Sequence, residues 1–288
     1  MSDRTTTTTT AISPVEEVVT QADALAPVTA PAPRRRPAAL FAALRWTAAA
    51  AVFGVLGTSV AYAVTDRDRT DVPTLATKAD GRWTYPPLAK PTLPAGAVGP
   101  YGRGNSGLIH YADLERLLLP APEGSRPDPA PAGQGSRVPV SRFLQEYDEG
   151  SRAAMAADLR DNGLRHIAAR GWTMADDGTS TRIYLLRFHS TATALFFFGT
   201  HLKGATDAPQ KVTDVEKLSS ADETYPSEGV YGTETYVYDE VAPRGPVHVR
   251  HAYIAAGDTL ALVVQSREGD APRVPFQQTV ILQNQLLG

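Results

Sequence analysis

From Trp46 to Val64 the chain runs for nineteen residues without a charge, and Arg34, Arg35, Arg36 and Arg45 precede that run. At about 1.5 Å per residue, a helix of this length spans roughly 28 Å, close to the roughly 30 Å hydrocarbon core of a bilayer. Trp46 and Tyr62 sit near its ends, where amphipathic rings favour the membrane interface. The arginines place the N-terminal side in the cytoplasm and everything after Val64 outside it. The run is rich in alanine, with Val52, Phe53, Val55, Leu56, Val60 and Val64 as its strong apolar residues, so it inserts more weakly than a leucine helix. Two other readings stay open. Ala61-Tyr62-Ala63 fits a small-x-small cleavage site, which would give a secreted chain after cleavage following Ala63, although the segment before it exceeds the usual signal length. The run also suits a buried core helix. The expectation is an uncleaved, single-pass anchor in the cell membrane. Pro37 and the alanines after it do not continue a twin-arginine signal.

The remaining pattern divides the chain. Residues 1–45 carry a threonine run and an Ala/Pro stretch with few aromatics, and read as a disordered cytoplasmic tail. Residues 46–64 are the expected transmembrane helix. Residues 65–107 have no sustained period and contain Pro73, Pro86, Pro87, Pro91, Pro94 and Pro100, so they read as a Pro-rich extracellular linker. Trp83 and Tyr85 are unusual in a linker and suggest packing against a folded partner. The glycines from Gly99 to Gly107 read as a flexible loop, because no Lys-Ser/Thr ending makes them a phosphate loop.

Residues 108–288 show alternating helical and strand periods and form the expected extracellular α+β domain. Asp113–Leu119 reads as a short helix presenting Leu114, Leu117 and Leu118 and ending at Pro120. Pro122–Gly135 reads as a loop, Ser141–Tyr147 as a helix with Phe143, Leu144 and Tyr147 inward, and Ser151–Asp161 as a helix stopped by Asn162-Gly163. Arg165–Met174 and Thr181–Phe188 form a hairpin around Asp177-Gly178. Ser190 caps a helix expected to turn Leu195, Phe198 and Leu202 inward and to leave Phe197 over. Trp172 is expected to pack on that helix. Gly229–Asp239 alternates as a strand, Val247–Ala255 and Thr259–Ser266 form a second hairpin around Gly257-Asp258, and Phe276–Leu287 is an amphipathic helix. The fold class is α+β, a mostly antiparallel sheet with helices packed on it, preceded by one transmembrane helix and a disordered N-terminal tail.

The segment Tyr111–Pro120, Ala168–Trp172, Asp177-Gly178-Thr179 and Leu185–Phe188 resembles uncharacterised single-pass exported proteins of Streptomyces-like actinobacteria. The resemblance covers roughly residues 105–288 together with the anchor and carries no assigned site residues. The element order is also similar, at fold level only, to PsbP-like envelope domains, although this chain lacks the cysteine through which such lipoproteins are anchored.

Composition narrows the function. Residues 66–288 hold 23 Lys and Arg against 27 Asp and Glu, which gives no footprint for nucleic acid. Cysteine is absent, which removes thiolate catalysis and Cys-ligated zinc. No His-Glu-x-x-His or Gly-x-Ser-x-Gly pattern occurs in the exported part. His248 and His251 are three apart in a strand and so face opposite ways, unable to share a metal from that strand. Asp176-Asp177 is explained by turn chemistry, and Asp222-Glu223 and Asp239-Glu240 read as solvated strand-end carboxylates. Tyr225, Tyr231, Tyr236, Tyr238 and Tyr253 either line a groove or half-bury in a sheet. No catalytic, cofactor-binding or metal residue is therefore assigned, no cofactor is expected, and the ligand-binding residues are left unknown. Three classes remain: a membrane-anchored domain that binds or senses a small-molecule ligand or envelope protein, a structural or assembly partner in the envelope, and an envelope enzyme. The first predicts a crevice with apolar walls, the second an exposed apolar patch, and the third clustered titratable groups in a cleft.

Overall fold

The computed structural model describes residues 38–65, 80–129, 137–226 and 229–288. The chain divides into two compact units, Met1–Ala76 and Thr77–Gly288. In the first, helix α1 runs over Ala38–Thr65, 28 residues. Its described part starts at Ala38 rather than Trp46, because Ala38–Arg45 is rich in the helix formers Ala, Leu and Arg. The rest of the expected tail, with Arg34–Arg36, lies outside the described residues, as do residues 66–79 of the expected linker. Phe41, Leu44, Trp46, Val52, Phe53, Val55, Leu56 and Tyr62 are exposed, and the helix has no single apolar face. Thr47 Oγ1 donates to the Ala43 carbonyl (3.0 Å) and Ser59 Oγ to the Val55 carbonyl (2.5 Å), so these hydroxyls are satisfied within the helix. Among the described residues, no helix is long and apolar enough to cross a membrane. The expected anchor is thus a helix, but not an established span.

The second unit is α+β, built on one eight-stranded sheet: β1 (Ser125–Asp128), β2 (Arg137–Val138), β3 (Leu164–Met174), β4 (Ser180–Phe188), β5 (Ser220–Ala221), β6 (Thr233–Asp239), β7 (Val247–Ala256) and β8 (Thr259–Glu268). Their spatial order is β1-β3-β4-β8-β7-β6-β5, with β2 on β3, and every pairing between these strands is antiparallel. Both expected hairpins form. At the first, Gly178 takes φ 71° and the Met174 N–H reaches the Thr179 carbonyl at 2.8 Å. At the second, Gly257 takes φ 52°, and a Cβ there would lie 2.0 Å from the Leu108 carbonyl oxygen, so glycine lets the preceding chain cross the hairpin tip. The segment expected as a Pro/Gly loop contributes β1 and leads to β2. Pro127 is tolerated because β1 lies at the sheet edge.

Strand alternation sends side chains to two buried layers. On one face, α3 (Val140–Phe143), a 3-10 turn (Leu144–Glu146), α4 (Glu149–Asp161) and α5 (Thr191–Phe197) cover Ile167, Tyr184, Leu186, Phe188, Tyr253 and Leu262. On the other, α2 (Leu114–Leu117) and α6 (Arg273–Leu287) cover Trp172, Ile183, Leu185, Ile254 and Val263. The Asp148 carboxylate and the Ser190 hydroxyl cap α4 and α5, accepting from the N–H groups of Gly150 and Thr193.

Three expectations are corrected. Phe197 is fully buried, whereas Phe196 is 62 % and Leu195 44 % exposed. The buried stripe is Ala194, Phe197 and Phe198 at i, i+3 and i+4, and a π turn over Phe198–Leu202 then carries Leu202 inward. Trp172 is buried, but on the α6 face, where it meets Tyr85 edge-on at 6.4 Å rather than α5. Finally, the folded unit does not begin at Leu108. Residues 80–107 form an arm that packs Trp83, Tyr85, Leu88 and Leu93 against the α6 layer. The Trp83 N–H donates to Gln278 Oε1 and Gln278 Nε2 donates to the Trp83 carbonyl, both at 2.9 Å, and the Tyr85 hydroxyl lies 2.8 Å from Thr279 Oγ1. Proline denied the arm a period but not an apolar face.

Candidate functional site

The titratable residues singled out by the sequence are mostly closed into structural networks. His248 and His251 face opposite sides of β7, as the strand period requires. His248 has Nε2 at 2.7 Å from Asp239 Oδ1 and Nδ1 at 2.9 Å from Asp270 Oδ1. Arg250 reaches Asp239 and Arg244 reaches Asp270. Burial would raise the Asp239 carboxyl, but the hydrogen bond from His248 and the Arg250 charge outweigh it and hold it below the usual range. His251 is fully buried, stacked on Tyr238 at 5.1 Å, with neither ring nitrogen hydrogen-bonded. Burial pushes its pKa down to about 3. On the same face, Glu146 takes a two-point bond from Arg182 (2.7 and 2.9 Å) and a third from the Tyr184 hydroxyl (2.7 Å). His166 is half-buried, and His201 lies against the Phe197 ring at 4.8 Å. Among the described residues, no group of three or more His, Asp or Glu side chains is arranged to hold a metal ion.

The crevice with apolar walls lies where the arm passes over the C-terminal end of α6. Its free volume is about 90 Å³, below the roughly 300–1,000 Å³ of drug-sized pockets, so it suits only a small group. The arm supplies Leu93 and Pro100, the chain before α2 supplies Tyr111 and Ala112, and Leu117 and Leu286 complete the walls. Lys90 stands at the rim and hydrogen-bonds the Gly288 carbonyl oxygen. His110 closes the base. Its Nδ1 is 2.8 Å from Asp258 Oδ1, its Nε2 is 2.8 Å from the Leu287 carbonyl, and its backbone N–H also meets Asp258 Oδ1 at 3.0 Å. Burial raises the Asp258 carboxyl, but the hydrogen bonds from His110 and the charge of Arg187 outweigh it and hold it below the usual carboxylate range. Both ring nitrogens of His110 are engaged, and no serine or threonine lines the crevice. The described lining is mostly apolar, with His110, Lys90 and Tyr111 as its polar side chains.

The loop expected to be flexible, Gly99–Gly107, is ordered around Asn105. The Asn105 side chain donates to the Gly99 and Ile109 carbonyls (3.1 and 2.8 Å) and accepts from the Ile109 N–H (3.0 Å). Sequence reading passed over Asn105 and His110, because each acts on a carbonyl or carboxylate remote in the fold or hidden in a turn. The tyrosines divide. Tyr238 and Tyr253 are core residues, Tyr231 is exposed, and Tyr225 and Tyr236 line a second, polar groove of about 420 Å³ beside β6, together with Asp222, Glu223 and Glu234.

No family model matches the chain, and no curated protein matches it. Among solved structures, the chain is similar to the extracellular domain of PknH from Mycobacterium tuberculosis, at 13 % identity and a TM-score of 0.29, over 45 % of this chain and 68 % of that one.

Proposed function

We propose that this protein is a single-pass, membrane-anchored domain on the outer side of the cell membrane that binds a small, largely apolar ligand in the crevice beneath its arm. The observation that carries the reading is that the crevice is walled in part by the segment that leads, in sequence, back to α1. A ligand that fills the crevice stabilises the seated arm, and the seated arm is what an envelope partner can recognise. The anchor rests on the uncharged run Trp46–Val64, on the arginines before it, and on apolar side chains exposed around α1 with hydroxyls satisfied inside the helix. A second reading, an assembly partner in an envelope complex, draws on the neighbouring exposed Leu195 and Phe196.

The test uses the full chain in lipid nanodiscs. Short-chain alkyl and cyclohexyl compounds are expected to raise the melting temperature of the exported unit. Ala112→Phe, which fills the crevice, is expected to abolish that shift while the circular dichroism spectrum is kept. No shift with any compound, or a shift untouched by Ala112→Phe, excludes the crevice as the binding site.

A further inference from the structure

We propose that the open edge of β6 is a docking site for an extended, lysine- or arginine-bearing segment of a partner polypeptide, which adds to the sheet as a further strand. The site is separate from the crevice and does not depend on it.

The edge is open because β5 is too short to cover β6. It pairs only Ser220 with Asp239 and Ala221 with Tyr238. In an antiparallel sheet, successive residues turn their N–H and C=O alternately to one neighbour and the other. The Val237 carbonyl accepts from the Asp222 N–H at 2.8 Å, on the side away from β7, and the Thr233 N–H bonds the Val230 carbonyl. Thr235 lies between these two and faces the same way. Its N–H and C=O have no partner among the described residues. The five consecutive residues Thr233–Val237 all line the groove, although their side chains alternate between faces. A groove touched by both parities of a strand runs along its edge and not over a face. Exposed strand edges are templates for pairing, and main-chain bonding to such an edge is a recurrent mode of peptide recognition.

Charge selects the occupant. Among the described residues, Asp222, Glu223 and Glu234 are the acidic side chains lining the groove, and no lysine or arginine lines it. Lys203 pairs with Glu234 from outside and lies 5.2 Å from the centre of the Tyr236 ring. Asp222 is held by the Thr224 N–H and by Gln277, whereas Glu223 is exposed, with no ion pair among the described residues. Tyr225 and Tyr236 supply aromatic surface for the stem of a lysine or arginine. A basic strand thus gains main-chain bonds at Thr235 and charge pairing at Glu223, while an acidic strand meets repulsion.

The probe is a capped hexapeptide of alternating lysine and valine, titrated into the full chain in nanodiscs at low salt, with its glutamate-for-lysine counterpart as control. The expected results are binding of the lysine peptide, at least tenfold weaker binding of the glutamate peptide, and slowed hydrogen exchange at the Thr235 amide on binding. Glu223→Lys, an exposed change that leaves folding intact, should weaken the lysine peptide at least threefold, whereas Ala112→Phe in the crevice should not. The proposal is overturned by the absence of binding at millimolar peptide. Equal binding of the two peptides, or binding without protection at Thr235, overturns it as well. So does protection at Thr235 that rises with protein concentration alone, which would make the edge a contact between copies of this chain.

Discussion

The side-chain amide of Gln278 serves the backbone of Trp83 as a neighbouring strand would. It accepts from the N–H and donates to the C=O, each at 2.9 Å. A proline-rich arm is thereby fastened to α6 without strand pairing. The Tyr85 hydroxyl against Thr279 and the Glu123 N–H on the Thr84 carbonyl hold the residues that follow.

The arm is therefore part of the folded unit. A fragment of residues 108–288 is expected to unfold at markedly lower urea than residues 77–288, because it leaves uncovered the surface of Trp172 and α6 that Tyr85, Leu88 and Leu93 cover. Gln278→Ala in the longer fragment removes both bonds to partly buried backbone groups, at a cost of about 1–3 kcal/mol. Equal urea midpoints for the two fragments would show the arm to be a passive linker.

Trp172→Ala is expected to cost about 3–5 kcal/mol, the usual range for truncating a buried aromatic. Because the Tyr85 ring meets Trp172 edge-on, Tyr85→Ala and Trp172→Ala should not add. A double-mutant cycle by equilibrium denaturation should return a coupling of about 0.5–1.5 kcal/mol.

Phe197 and Phe196 are neighbours with opposite surroundings. Phe197→Ala is expected to cost about 3–5 kcal/mol, while Phe196→Ser should change stability by about 0.5 kcal/mol or less. The reverse ranking in thermal melts would place the inward stripe of α5 one residue out of phase.

His251 links stability to pH. Its pKa is pushed down to about 3 in the folded state by burial, against about 6.5 unfolded. Between these values the unfolded chain binds the extra proton. The contribution of neutral His251 is therefore fully present above about pH 6.5 and is lost as pH falls toward 3. Each unit of depression corresponds to about 1.4 kcal/mol. In His251→Phe, the decline of the urea midpoint between pH 6.5 and 4 should be shallower. An unchanged slope would assign acid sensitivity to other groups.

The sequence determined what is local. The turns at Asp177-Gly178 and Gly257-Asp258, the cap at Ser190 and the opposite facing of His248 and His251 follow from backbone preference and from the periods of 2 and 3.6 residues, whereas the cap of α4 is Asp148 and Ser141 lies inside α3. These local preferences fix an antiparallel α+β domain without reference to anything distant. The uncharged run likewise marks α1 by composition alone.

The tertiary structure decided everything that depends on what lies opposite. Trp172 reads as buried from its strand position, but which helix covers it depends on which face of the sheet the arm and α6 occupy. The inward stripe of α5 follows the regular helical period, but Ala194 and Phe197 rather than Leu195 face the sheet, because the phase of the helix is set by how it docks and not by its own composition. The arm lacks a period because proline interrupts any ladder, so its apolar face becomes legible only once Gln278 and Thr279 are opposite it. The crevice over His110 joins residues from Lys90 to Gly288, and the open edge of β6 exists because β5 ends after two residues. Neither is a pattern in the chain. Both arise from the packing of segments far apart in sequence, and that packing is set by the burial of two opposed faces of one sheet.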